Sequence, residues 1–148
     1  MQGIVLDYKP HTIVCREGDP TTELYFLKSG TLLVCTLSGT QVKVISRISS
    51  GEFIGELSFF DSKPRASYVV TLDQCQLIQI QKQQILANLP KWYNQIGINL
   101  TKKIRQLDHV IYSSNLRRSK IEESKPLSIE EQRVFYELLT VLTGKFCR

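Results

Sequence analysis

The sequence predicts an α+β fold, and three observations carry that expectation. Up to about residue 80 the chain holds short β-branched and aromatic runs separated by turns rich in Gly, Pro and Ser. No helix-length segment separates these runs, so parallel βαβ units do not fit and an antiparallel sandwich or barrel does. At residue 81 the apolar pattern changes from a period of two to a helical one.

The strands are expected at Thr12–Cys15, Leu24–Leu27, Thr31–Leu37, Gln41–Ser46, Ala66–Thr71 and Gln76–Ile80. Gly18 and Pro20 punctuate the first turn, Gly30 the second and Gly51 the fourth, and Ser38-Gly39-Thr40 reads as a tight hairpin connection. Gln41–Ser46 alternates at period two, as a half-buried strand does. Gln81–Leu89 is a short helix candidate, and Pro90 can open the next helix at its first turn. From Trp92 to about Leu116, the residues Ile96, Leu100, Ile104, Leu107 and Ile111 recur at spacings of 4, 4, 3 and 4, which places them on one helical face. That stripe can pack on the β-domain or form a two-chain seam. After a charged linker, Ser128 and Glu131 have the spacing of a capping box, and Ile129, Phe135, Leu138, Leu139 and Leu142 make an apolar face that Gly144 would end. The expected organisation is therefore a β-domain with a short helix over 1–89, a long helix over 90–116, and a linker with an amphipathic helix over 117–148.

With 148 residues, 42% of them apolar and 22% charged, the chain suits one domain with a small appendage and is not expected to be disordered. Residues 1–90 hold eight basic and eight acidic side chains; residues 91–148 hold eleven and six, so the whole net charge of +5 lies in the helical part. This reads first as a solvated helix surface. The basic residues include Lys102, Lys103, Arg105, Arg117, Arg118, Lys120 and Lys125; they can touch phosphate but do not make a sequence reader. Cys15, Cys35, Cys75 and Cys147 form no CxxC pair, and His11 and His109 form no cluster, so no metal site is expected. Three of the cysteines lie in apolar surroundings, as small buried hydrophobes of a reducing compartment do. The start, Met1 to Asp7, lacks the basic region and long apolar run of a signal peptide, and no apolar run is long enough for a bilayer. A cytoplasmic location and no membrane association are expected. No catalytic residue is expected either, because no Gly-x-Ser-x-Gly, paired His or P-loop is present.

The informative stretch runs from Gly51 to Ser67, where a carboxylate and a guanidinium flank a short segment that can be helical. A cyclic nucleotide needs a cation and N–H donors for its phosphate and an acceptor for its ribose hydroxyl. Arg65 supplies a planar donor fork. N–H groups at a helix start near Gly55 to Ser58 supply further donors. Glu56 supplies the acceptor, Gly55 lets backbone approach the ligand, and Ser67 adds a hydroxyl.

These residues resemble the phosphate-binding cassette of the cyclic-nucleotide-binding domain family, represented by the catabolite activator protein and the regulatory subunits of protein kinase A. The family's pattern, roughly F-G-E-L-A-L and then P-R-A/T-A, is matched by Ile54-Gly55-Glu56-Leu57-Ser58-Phe59 and Pro64-Arg65-Ala66-Ser67. Gly18, Gly30 and Gly51 match its structural glycines, and the resemblance covers about residues 8–112. It implies an antiparallel β-roll, a jelly-roll-like double-stranded β-helix, followed by a long capping or dimerisation helix. It further implies that Gly55, Glu56, Leu57, Ser58, Arg65, Ala66 and Ser67 bind the ligand. Glu56 would hold the ribose hydroxyl, Arg65 the phosphate, and Ser58 and Ala66 would donate backbone N–H groups. Ala66 after the Arg favours adenine, hence cAMP as the ligand. Leu107 and Asp108 would come near the purine. A homodimer through the long helix and an unidentified protein partner are expected. The activator branch continues into a winged helix-turn-helix, which the single helix after Ser128 does not match. The expectation is a cAMP sensor or adaptor. A ligand-free scaffold on the same fold and a DNA-binding regulator are the alternatives.

Overall fold

The computed structural model describes residues 3–113 and 125–141. Eight strands come first: β1 (Ile4–Tyr8), β2 (Ile13–Cys15), β3 (Leu24–Ser29), β4 (Thr31–Ser38), β5 (Gln41–Ser49), β6 (Phe53–Ile54), β7 (Tyr68–Thr71) and β8 (Cys75–Ile80). Helix α1 (Glu56–Asp61) lies between β6 and β7, and α2 (Lys82–Leu86), α3 (Lys91–Ser113) and α4 (Ile129–Val141) follow the strands. Pairing is nested: β1 with β8, β2 with β7, β3 with β6 and β4 with β5, all antiparallel. Nested pairs wind a hairpin ribbon into two facing sheets, ordered β1-β8-β3-β6 and β2-β7-β4-β5. This is the expected β-roll of jelly-roll type.

Two strands were not expected. β1 is a five-residue edge strand whose state is set by β8, more than sixty residues away, and no local signal reports such a partner. β6 is only two residues long and pairs with Tyr25 and Phe26 of β3. The segment after it, expected as a short loop with helical potential, is the six-residue helix α1.

Strand alternation builds two apolar clusters. Cys15, Tyr25, Leu27, Leu32, Ile54, Val69, Cys75 and Leu77 meet between the sheets. Leu33, Cys35, Val42, Tyr68 and Val70 form the other cluster, and there they meet Leu127, Phe135 and Leu139 from the α4 segment. In β4, Leu32 belongs to the first cluster and Leu33 and Cys35 to the second, so the strand is buried on both faces. Phe135 and Leu139 are fully buried, and each such side chain contributes about 1.5–3 kcal/mol. The capping box is formed: the Ser128 N–H donates to Glu131 Oε2 at 2.8 Å, and the Glu131 N–H donates to Ser128 Oγ at 3.2 Å. Several expected features lie outside the described residues: the end of the long helix near Leu116, the basic residues Arg117, Arg118 and Lys120, Leu142 with Gly144, and Cys147; the side chain of Ile111 is likewise not described. Ile129, expected on the packed face, is exposed at the first helical position.

Helix α3 turns a small and polar face to the roll. Gly97 and Thr101 are buried on that face, and a Cβ on Gly97 would lie 2.1 Å from the Phe60 ring of α1. The apolar stripe points outward: Ile96, Leu100, Ile104 and Leu107 are 50%, 54%, 44% and 61% exposed. Among the described residues no helix is long and apolar enough to cross a membrane.

Candidate functional site

Strand β6 ends at Gly55, whose φ of 87° and ψ of 12° turn the chain sharply into α1. The first bond of α1 runs from the Phe59 N–H to Gly55 O at 3.0 Å. The N–H groups of Glu56, Leu57 and Ser58 therefore precede the helical ladder. Ser62, also left-handed at φ 56°, ends the helix by donating its N–H to Ser58 O. The return segment is braced from the first turn, since the Arg65 N–H donates to Asp19 O and the Gly18 N–H to Arg65 O, both at 2.9 Å.

These anchors bring Arg65 inward, where it is only 5% exposed. Its Nε donates to Thr21 Oγ1 at 3.1 Å, its Nη1 to Gly55 O at 3.2 Å and its Nη2 to Glu23 O at 2.7 Å. The Glu23 carboxylate lies 3.7 Å from Nη2, and its Oε2 is buried without a hydrogen bond. The guanidinium is thus fixed from three sides, with one N–H on each terminal nitrogen outside these three bonds. The reason for glycine at position 55 is closer than a ligand: a Cβ there would meet Arg65 Nη1 at 2.1 Å and Glu23 O at 2.9 Å.

Beside Arg65 lies a cavity of about 400 Å³, within the range of roughly 300–1,000 Å³ usual for small-molecule sites. Gly55, Glu56, Leu57, Ser58, Arg65, Ala66 and Ser67 all line it. Burial among neighbouring atoms raises the Glu56 pKa, against the opposing pull of its own N–H, that of Gly55, and the Arg65 charge. Asp108 lines the cavity from α3. Leu107 does not; about 100° further round the helix, it belongs to the exposed stripe.

Several lining residues were not anticipated. Cys15, Val34, Ile48 and Val69 form an apolar wall, joined by Ile45 and Ser46 of β5. Strand alternation points such side chains inward, but no chemical motif marks them. Burial pushes the Cys15 thiol up to about 11, so it stays a protonated apolar group. Arg105, read from sequence as a basic residue that can touch phosphate, lines the cavity from α3 and grips Asp61 of α1. Its Nε donates to Oδ2 at 2.5 Å and its Nη2 to Oδ1 at 3.2 Å. Burial alone would raise the Asp61 pKa, but the Arg105 hydrogen bonds and the Lys63 N–H outweigh it and hold the carboxyl below its ordinary value.

A second cavity of about 730 Å³ lies between α1, α2 and β3, lined by Phe59, Phe60, Ile85 and Tyr93 among others. Among the described residues its ionisable lining groups are Glu52, Glu56 and Tyr93, with no cation, a lining that does not suit a phosphate. Among the described residues no three His, Cys, Asp or Glu converge as metal ligands.

A family model described as "Cyclic nucleotide-binding domain" matches residues 5–89. The CRP-like protein Clp of Xanthomonas oryzae pv. oryzae is 30% identical over 107 residues, covering 66% of this chain and 46% of that protein. The match therefore spans about half the length of the curated relatives. Among solved structures, the c-di-GMP responsive global regulator CLP of Xanthomonas campestris is 26% identical, with a TM-score of 0.56, over 76% of this chain and 58% of that one. The cAMP-bound form of the EAL enzyme Bd1971 is 24% identical with a TM-score of 0.65, and the match takes in 75% of this chain but 30% of the enzyme. The catabolite activator protein of Thermus thermophilus is 20% identical with a TM-score of 0.60, over 76% and 54% of the two chains. These last two likenesses are of fold. With the model matching more than half of its residues, the chain belongs to the cyclic nucleotide-binding domain family.

Proposed function

We propose that the chain is a cytoplasmic cAMP sensor, a binding module and not an enzyme, that relays ligand occupancy to a partner protein. The supporting observation is the buried Arg65 guanidinium, fixed beside a 400 Å³ cavity that Glu56 and the start of α1 also line. In this reading Arg65 holds the phosphate with its two uncommitted N–H groups, and Ser58 and Ala66 add backbone N–H donors. Glu56 accepts from the ribose hydroxyl, Ser67 contributes its hydroxyl, and Gly55 and Leu57 shape the wall. The apolar wall takes the sugar and base, and Asp108 accepts from the adenine amino group. The buried free thiols of Cys15, Cys35 and Cys75 fit a reducing compartment.

Calorimetry with cAMP, cGMP and cyclic dinucleotides tests this reading. cAMP is expected to bind most tightly, and the related CLP regulator, described as c-di-GMP responsive, makes the dinucleotide the essential competitor. No binding of any of them at millimolar concentration rejects the sensor and leaves a ligand-free scaffold. Glu56→Ala is expected to weaken cAMP about tenfold, one lost ribose hydrogen bond to a charged group; an unchanged Kd would remove Glu56 from the site.

The outward stripe of α3 supports a homodimer, because a second copy of the same helix offers a matching apolar seam. Light scattering is expected to report twice the mass of one chain. Replacing Leu100 and Leu107 together by Asp is expected to halve it. A wild type that stays monomeric at high concentration removes the seam.

A further inference from the structure

Strand β5 serves both apolar clusters. Against β4, Cys35 pairs with Val44 and Val34 with Ser46, so Ile45 is an inserted residue, a β-bulge. One inserted residue reverses which face the following side chains take. Before the bulge, Val42 and Val44 pack in the cluster that α4 covers. After it, Ser46 and Ile48 line the cavity beside Arg65, as does Ile45. β5 is the edge of its sheet, so among the described residues no further strand holds the bulge from outside.

The α4 segment does so instead. The Val42 N–H donates to Gln132 Oε1 at 2.9 Å, and Gln132 Nε2 donates to Val42 O at 2.8 Å. A side-chain amide offers both an N–H donor and a carbonyl acceptor, the complement a neighbouring strand would offer. Beyond the bulge, Arg47 Nη1 donates to Lys125 O at 3.1 Å. The two anchors straddle Ile45.

We propose that Gln132 is a positioning residue for the nucleotide cavity. By clamping Val42 it fixes the bulge that turns Ser46 and Ile48 into the cavity, so α4 docking and ligand binding favour each other. This rests on the cavity being the nucleotide site. The coupling is reciprocal, as any linkage between two binding events must be.

The test combines amide hydrogen exchange and cAMP calorimetry on the full chain. Gln132→Ala is expected to speed exchange at Ile45–Ile48 about tenfold without ligand and to weaken cAMP about fivefold. Gln132→Glu keeps the acceptor and loses the donor, and should fall between. Arg133→Ala, on the exposed side of the same helix with Glu137 as its partner, should change neither readout. Unchanged exchange at Ile45–Ile48 in Gln132→Ala overturns the inference, and so does faster exchange with wild-type cAMP affinity. The exchange arm needs no ligand, so a wild type that binds no nucleotide rejects the proposed function separately.

Discussion

Arg65→Ala is expected to abolish cyclic-nucleotide binding and to lower the stability of the ligand-free protein by about 2–4 kcal/mol. Both effects follow from the same burial. Thr21 Oγ1 and Glu23 O would lose the Arg65 donor, and Gly55 O would keep only the Phe59 N–H. The Glu23 carboxylate, with Oε2 already buried and without a hydrogen bond, would lose the one cation among the described residues that lies within ion-pair distance of it. A buried negative charge without its partner disfavours both the fold and an incoming phosphate. Urea unfolding measures the first effect and calorimetry the second. Arg65→Lys separates them: the charge remains while the fork is lost, so stability should recover more than affinity. Wild-type affinity in either variant would mean that the phosphate is held elsewhere.

The Gly55→Ala variant should lose about 2–4 kcal/mol, although it adds only a methyl group. The backbone there is left-handed at φ 87°, and the new Cβ would overlap Arg65 Nη1. Gly51 is the matched control. Its φ is 96°, but nothing lies within 4 Å of a Cβ built on it, so Gly51→Ala should lose only the backbone part, about 1–2 kcal/mol. The difference between the two unfolding free energies measures the crowding by the guanidinium and by Glu23 O, and the same crowding should loosen nucleotide binding in Gly55→Ala alone. Equal losses in the two variants would show that Arg65 moves aside freely and that its position is not enforced by Gly55.

The long helix shows where sequence reading reaches its limit. Its apolar stripe was legible from spacing alone, because a period near 3.6 places those side chains on one face whatever lies beside them. Which face meets the roll was not legible. Gly97 and Thr101 carry no apolar signal, yet among the described residues they are the buried positions of α3; at Gly97 close approach to Phe60 requires the absence of a side chain. The same holds for Arg105, whose charge announced a phosphate or a surface contact, whereas the structure gives it Asp61 of α1.

By itself the sequence determined the strand-rich first part, the helical second part, the Ser128–Glu131 cap and the family resemblance carried by Gly55 to Ser67. These are local properties: turn residues, apolar period and side-chain chemistry at short spacing act within a few residues of one another. The tertiary structure alone decided that β1 is a strand, that β4 is buried on both faces, and that Gln132 and the Ile45 bulge belong to one arrangement. The unbroken apolar run Leu32-Leu33-Val34-Cys35 carried a hint of double burial. No local rule could name what covers its outer face, because that cover, Phe135 and Leu139, lies about a hundred residues further along the chain. Local chemistry selects elements. Which elements share a face depends on contacts distant in sequence, and no spacing in the chain encodes them.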